Sequence, residues 1–235
     1  MIAVIIPAHN EEATIGKVIN DVRSALLRED YCRIIVTCDR CTDKTEAVAL
    51  KHGAETIISV DPGLAGSYRT GIKRALTYSP EAVIHIDADG QYEARDITQL
   101  LEILRAGYDM AMGNRIWHRP DGMIVSKYLL NHAGSMAHSL LLFKRIDDIT
   151  DGLRVFNQNV ARLPIISRYT FTQEQVWRTI KSGYKIKFAP ISFYRREDGG
   201  SRLIKHPVQY IARSMGDFIR YSRNINSRIS EDMRS

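Results

Sequence analysis

Short apolar runs alternate with helix-patterned segments over the first half of the chain, and this alternation limits the possible folds more than any other feature. Residues 3–6, 33–37, 56–60 and 82–86 read as strands, and Pro7 is expected to stop the first. Helical patterns lie between them. Asn10 is placed to cap a helix opening at Glu11-Glu12, whose positions Ile15, Val18, Ile19, Val22 and Leu26 share one face. Asp43 opens a second helix, and residues 66–78 form a third. Apolar strands joined by helices predict an α/β fold with a mainly parallel sheet, flanked by helices on both faces. Ligands of such sheets bind beyond the carboxyl ends of the strands. Three polar clusters fall there: residues 7–12, 39–43 and 87–91.

The second half reads differently. A strand is expected at 109–113, a helix at 125–143, a short helix at 172–182 and an alternating strand at 185–194. Residues 207–223 have the pattern of an amphipathic helix, with Val208, Ile211, Met215, Phe218 and Ile219 in one stripe beside Arg213, Arg220 and Arg223. The expected organisation is one domain over 1–205, with halves 1–113 and 114–205, then a helix and tail over 206–235.

Charge divides the chain in the same way. Residues 1–100 hold 11 Lys and Arg against 15 Asp and Glu, whereas 101–235 hold 22 against 12. A basic second half points to an anionic partner (a phosphate, a membrane surface or nucleic acid) or serves solubility alone. No recognisable nucleic-acid-binding module accompanies it. No apolar run reaches the ~20 residues a membrane span requires. Cys32, Cys38 and Cys41 are an odd set without scaffold spacing, which points to a reducing compartment and against a disulfide framework. The Cys38-Cys41 pair lacks the second pair a zinc site needs.

Asp87-Ala88-Asp89 is the sharpest chemical feature. An apolar strand delivers two carboxylates, one residue apart, into a loop. Acids so close repel unless a cation or donors compensate. Oxygen ligands suit Mg²⁺ or Mn²⁺, which combine carboxylates with substrate phosphates, and Gln91 adds a neutral oxygen. A cap or turn is the other reading of such a pair. Asp39 can accept hydrogen bonds from a base or ribose, or be a turn residue. The segment Arg195-Arg196-Glu197-Asp198-Gly199-Gly200-Ser201-Arg202 can close over a diphosphate, or be a solvated turn. Glu174 is either a capping acid or a catalytic base. Trp117 and Trp177 read as packing residues.

These clusters, in this order, resemble the family 2 glycosyltransferases of the GT-A fold, and most of all their dolichyl- and polyprenyl-phosphate mannosyl- and glucosyltransferases. Pro7-Ala8-His9-Asn10-Glu11 is similar to the family's Pro-x-x-Asn-Glu opening. Asp39-Arg40-Cys41-Thr42-Asp43-Lys44-Thr45 resembles its Asp-x-Ser-x-Asp-x-Thr segment, and Asp87-Ala88-Asp89-Gly90-Gln91 its metal motif. Gly113-Asn114-Arg115, residues 148–154 and Arg196-Glu197-Asp198-Gly199-Gly200-Ser201-Arg202 resemble three later motifs. Departures are Cys38 where Asp is frequent, Leu64 near a frequent Lys, and Asp151 in place of a usual Ser.

The resemblance implies that Pro7, Ala8, Glu11 and Asp39 surround a nucleoside. It implies that Asp87, Asp89 and Gln91 hold Mg²⁺ or Mn²⁺, and that Arg115, Arg196 and Ser201 bind donor or acceptor phosphates. The implied reaction transfers a hexose, with inversion, from a GDP-mannose or UDP-glucose type donor to a polyprenyl or dolichyl phosphate. Arg196 would stabilise charge beside Asp89, and Glu174 or Asp151 would matter only for a hydroxyl acceptor. The implied location is cytoplasmic, peripheral at the membrane, with contact through 207–223. The alternatives are a soluble hydroxyl acceptor (metabolite, protein or nucleic acid) or a non-catalytic nucleotide-sugar or nucleic-acid binding protein. A sugar-nucleotide pyrophosphorylase would need a Gly-rich phosphate loop after the first strand, where Pro7-Ala8-His9-Asn10 stands.

Overall fold

The computed structural model describes residues 1–27, 31–121, 123–194 and 214–220. Four strand-helix units come first: β1 (Ile2–Ala8), α1 (Ile15–Ala25), β2 (Cys32–Cys38), α2 (Thr45–Lys51), β3 (Glu55–Ile58), α3 (Leu64–Leu76), β4 (Ala82–His85) and α4 (Asp96–Arg105). The second half supplies β5 (Met110–Asn114), α5 (Val125–Leu142), β6 (Arg154–Phe156), α6 (Gln158–Ala161), α7 (Phe171–Lys181) and β7 (Ile186–Pro190). The seven strands form one sheet in the order β3-β2-β1-β4-β6-β5-β7. β1 lies parallel to both β2 and β4, and β5 parallel to β7. Only β6 runs against its neighbours. Helices cover both faces, as the alternation predicts.

Alternation along β1 divides the core. Ile2, Val4 and Ile6 pack with Ile15, Ile19 and Val22 of α1 and Leu100 of α4. Ala3 and Ile5 point the other way, among Tyr68 and Ile72 of α3 and Trp177 of α7. Helix α3 sits so close to the sheet that a Cβ on Gly71 would lie 2.9 Å from Thr37 Oγ1 and 3.2 Å from Ile5 Cβ. Each apolar side chain buried here contributes roughly 1.5–3 kcal/mol.

Pro7 does not stop the first strand. β1 runs to Ala8, and Pro7 is in register with Thr37. The ladder between β1 and β4 ends at Ile5 and His85, so beyond it β1 is paired on one side only. Such an edge tolerates a missing N–H.

Asn10 does not cap α1 either. It takes a left-handed φ of 55°, which Asn tolerates better than most residues. Its Oδ1 accepts from Thr42 N at 2.8 Å. The helix begins at Ile15, after a turn in which Glu11 O accepts from Thr14 N and Ile15 N. Asp43 accepts from Thr45 N, the first residue of α2. Of the expected helix over 207–223, residues 214–220 are described and helical, and the rest lie outside the described residues. Phe218 packs on Trp177, and Asp217 accepts from Thr170 Oγ1 at 2.8 Å, which fastens this segment to α7 and the loop before it.

Candidate active site

The loops after β1 and β2 are laced together. Glu11 N donates to Thr45 Oγ1, Glu12 N donates to Asp43 Oδ2, and Lys44 N donates to Glu12 Oε2. With the two bonds from Thr42 N and Oγ1 to Asn10 Oδ1, five tertiary hydrogen bonds hold residues 10–12 against 42–45. Asp39 leaves β2 beside this platform and is nearly buried. Its Oδ2 accepts from Gly63 N at 2.9 Å, ahead of α3, and its backbone O lies 2.5 Å from His9 Nδ1. Asp39 therefore ties three strand ends together, and Pro7, Ala8 and Glu11 lie on the first of them.

Asp87 and Asp89 emerge two and four residues beyond β4. Burial, followed by the charge of Asp89, pushes the Asp87 carboxyl up to about 7, while Arg154 and Arg115 pull it down and Glu11 adds to the rise. The Asp87 side chain keeps 33% of its surface exposed, so water reaches it and moderates that rise. Asp89 Oδ1 accepts from Gln91 N at 3.1 Å. Gly152 closes the floor: a Cβ there would lie 2.6 Å from Asp87 Oδ2 and 2.8 Å from the Tyr92 hydroxyl. Among the described residues no three His, Cys, Asp or Glu side chains converge on one point. Two carboxylates that repel one another suit an Mg²⁺ or Mn²⁺ that completes its shell with substrate oxygens.

Behind the carboxylates lies a buried ionic layer. Arg115 donates to Asp148 at 2.9 Å and to Thr150 Oγ1, with Asp151 3.8 Å away. Burial works against its charge, but Asp148, Tyr92 and Asp151 raise its pKa overall. Arg154 is fully buried and donates to Gln175 Oε1, Thr172 O and Asp151 O. Asp151 is also fully buried, and burial with the Asp148 charge raises its carboxyl well above the usual range. Lys127, on α5, has its pKa lowered by burial first and then by the Arg115 charge.

Two residues have a role the sequence reading did not give them. Gln91 Nε2 donates to Tyr194 O at 2.9 Å, and Tyr194 N donates to Gln91 O at 2.8 Å. These two hydrogen bonds hold residue 194 against residue 91, and they leave Gln91 Oε1 as the oxygen that could meet a cation. Glu174 is fully buried on α7, accepting from Ile166 N, Ser167 N and Arg178. Its carboxylate is held within residues 166–178, so it anchors that loop, and among the described residues no hydrogen bond or ion pair joins it to Asp87 or Asp89. Trp177 is buried as expected, but Trp117 is half exposed, with its indole N–H on Ile191 O. Arg196 and Ser201 lie outside the described residues. Sequence reasoning missed His85, Lys127 and Arg154 as parts of the site. His85 and Arg154 stand inside strands, where they read as interruptions of an apolar run.

Comparison with known proteins agrees with this geometry. The sequence profile described as Glycosyl transferase family 2 matches residues 3–197. The chain therefore belongs to family 2 of the glycosyltransferases, with the GT-A arrangement of a mostly parallel sheet flanked by helices. An uncharacterized protein of Methanocaldococcus jannaschii is 33% identical over 209 residues, covering 86% of this chain and 84% of the other. The polyprenol monophosphomannose synthase of Mycolicibacterium smegmatis is 27% identical over 221 residues, covering 85% and 80%. Glucosyl-3-phosphoglycerate synthase from Mycobacterium tuberculosis, solved with Mn²⁺, UDP-glucose and phosphoglyceric acid, superposes with a TM-score of 0.72 at 19% identity, over 92% of this chain and 78% of the other.

Proposed function

We propose that the chain transfers a hexose, with inversion, from a nucleoside diphosphate sugar to a polyprenyl phosphate, using Mg²⁺ or Mn²⁺. The observation that carries this is the Asp87-Ala88-Asp89 pair beyond β4, whose mutual repulsion a dication would relieve. Asp87 and Asp89, with Gln91 Oε1, would hold the metal, which when bound supplies Lewis-acid stabilisation of the leaving diphosphate. Asp39, Pro7, Ala8 and Glu11 would form the nucleoside wall. Arg196 and Ser201 would contact the diphosphate.

The acceptor assignment is supported by the named relative, a polyprenol monophosphomannose synthase, which matches over most of both chains. A phosphate acceptor is already anionic and needs no strong base, in keeping with the engagement of Glu174 elsewhere. Among the described residues no helix is long and apolar enough to cross a membrane, so contact with a lipid acceptor would be peripheral.

The test has two arms. Thermal melts with UDP- and GDP-sugars, each with and without Mn²⁺, should show a metal-dependent rise in Tm for one nucleotide, since a ligand of the native state stabilises it. Sugar transfer from that donor to polyprenyl phosphate should then be abolished by EDTA. Transfer that persists without metal, or transfer only to hydroxyl acceptors, would overturn the reading.

A further inference from the structure

The three cysteines stand on one strand and the turn after it, and geometry lets only one pair of them meet. Cys32 opens β2 and Cys38 closes it, so about 20 Å of extended chain separates them. Cα atoms joined by a disulfide lie within about 7 Å of one another, which excludes that pair. Cys41 is different. Arg40 takes a left-handed φ of 48° and turns the chain back, and Cys41 Sγ lies 3.6 Å from Ala8 O. Ala8 is also the residue in register with Cys38 across the β1–β2 ladder. Both thiols pack on the core layer that α1 and α4 share, and they interact directly. Cys38 is buried, whereas Cys41 is open in part to solvent. A reachable thiol beside a buried one is the arrangement of an attacking and a resolving cysteine. Among the described residues no third His, Cys, Asp or Glu joins the pair to make a metal site.

The same turn joins the two front loops. Asp39 lies between the cysteines, with its Oδ2 on Gly63 N. Thr42 follows Cys41 and gives both its N and its Oγ1 to Asn10 Oδ1. Asp43 and Lys44 continue the lacing to Glu12. Cys38 is fixed by its ladders with β1 and β3. An S–S bond is about 2.0 Å long, much shorter than the contact between two thiols, so forming it moves Cys41 rather than Cys38. That pull falls first on Thr42 and, through it, on Asn10 and Glu11.

We infer that Cys38 and Cys41 form a reversible disulfide that loosens the joint between residues 10–12 and 42–45 and so weakens nucleotide binding. The co-reactant is a small-molecule disulfide such as oxidised glutathione. The Cys41 thiol loses its proton and attacks one sulfur of that disulfide, and a glutathione thiolate leaves and takes up a proton. Cys38 then loses its proton and attacks Cys41 Sγ, which expels the second glutathione in the same way. Two protein thiols are oxidised, and one disulfide is reduced to two thiols. In a reducing compartment a bond of this kind is transient, which suits redox sensing. The effect on the loops stands by itself. The effect on nucleotide binding rests on the proposed nucleoside wall.

The full chain, equilibrated with oxidised glutathione, should yield a cross-link between Cys38 and Cys41 in peptide mapping, with Cys32 outside it. Hydrogen exchange at the amides of Glu11, Glu12, Thr42 and Lys44 should then run at least about tenfold faster, and dithiothreitol should restore it. Cys41→Ser should show neither the cross-link nor the faster exchange. Cys38→Ala should stop at glutathione attached to Cys41. Mapping that finds no bond between Cys38 and Cys41, or unchanged exchange in the cross-linked protein, would overturn the inference. The metal-dependent rise in Tm with a UDP- or GDP-sugar should shrink on oxidation and return on reduction, and an undiminished rise would overturn the nucleotide part. A reduced protein whose Tm no nucleotide raises would instead sink the donor assignment, while mapping and exchange still decide the disulfide.

Discussion

Oδ1 of Asp87 lies 3.7 Å from Nε2 of His85, and that ring gives the carboxylate no charge to pair with. His85 Nδ1 donates to Gly152 O at 2.5 Å, which leaves Nε2 as a lone pair. Burial, then the Arg154 cation, lowers the His85 pKa to about 3, so the ring is neutral at ordinary pH. Asp87 meanwhile is raised from 3.8 to about 7. A carboxyl with a raised folded value binds more protons folded than unfolded. Its stabilising effect is complete below 3.8 and is lost as pH rises through about 7. The metal-free protein should therefore melt at falling temperature from about pH 5 to about pH 8, and Asp87→Asn should flatten that slope. An unchanged slope in Asp87→Asn would refute the assignment.

Asp89→Ala should abolish transfer while leaving the fold intact. Asp89 stands on the loop beyond β4, outside the apolar core, where its Oδ1 accepts from Gln91 N. Removing a group that holds the charge-stabilising centre typically costs at least about a hundredfold in rate. Far-ultraviolet circular dichroism and Tm should match the parent, and Mn²⁺ should no longer raise Tm in the presence of nucleotide. Full metal-dependent activity in this variant would reject the site.

Gly152→Ala tests the floor of the site without altering a charge. The added Cβ would stand 2.6 Å from Asp87 Oδ2 and 2.8 Å from Tyr92 Oη, inside van der Waals contact. Gly152 N also donates to Tyr92 Oη at 2.7 Å, so the backbone has little freedom to retreat. Asp87 should turn away, and Mn²⁺ affinity should fall by roughly tenfold or more, with a stability cost of about 1–3 kcal/mol from overpacking. Isothermal titration with Mn²⁺ and nucleotide, beside a urea melt, separates the two effects.

Much of this site was legible in sequence because its chemistry sits at strand ends. Asp39 and Asp87 each follow an apolar run, and a run of that kind announces a buried strand whose end faces ligand. The middle of the second half was harder to read. β6 has three residues, among them Arg154, and a buried arginine gives no hydrophobic period. Helix α5 misleads in the opposite sense, since Leu129, Met136 and Leu140 are exposed while Ser135 and His138 are buried. Glu174 was open to a catalytic reading only because sequence shows the acid and conceals the two backbone N–H groups and the arginine that occupy it.

The two thiols of the Cys38-Cys41 pair should differ sharply in reactivity. Burial foremost, then the neighbouring Cys41, pushes the Cys38 thiol up to about 12, and its side chain lies in the core. Cys41 is partly exposed, with its Sγ 3.6 Å from Ala8 O. The thiolate is the nucleophile, so maleimide at about pH 8 should label Cys41 well before Cys38. Peptide mapping by mass spectrometry reads the order, and first labelling at Cys38 would contradict the burial described here.

Replacing Glu174 decides between a catalytic and an architectural role. Its Oε2 accepts from Ile166 N at 2.9 Å and Ser167 N at 2.7 Å, and its Oε1 meets Arg178 Nη2 at 2.7 Å. Both partners of this pair are withdrawn from water, so removing one leaves the other charge uncompensated. Breaking a buried pair in this way costs about 3–5 kcal/mol. Glu174→Ala should therefore lower Tm steeply, and Glu174→Gln, which keeps an acceptor for the two N–H groups, should lower it less. Pairing Glu174→Gln with Arg178→Met removes both charges at once, keeps an acceptor for the two N–H groups, and should recover much of the loss. Activity per folded molecule, measured well below each Tm, should stay within a factor of about three of the parent in all of these variants, because no bond of Glu174 reaches Asp87 or Asp89 and a lost general base would cost a hundredfold or more. A variant that is as stable as the parent but has lost its turnover would return Glu174 to the chemistry.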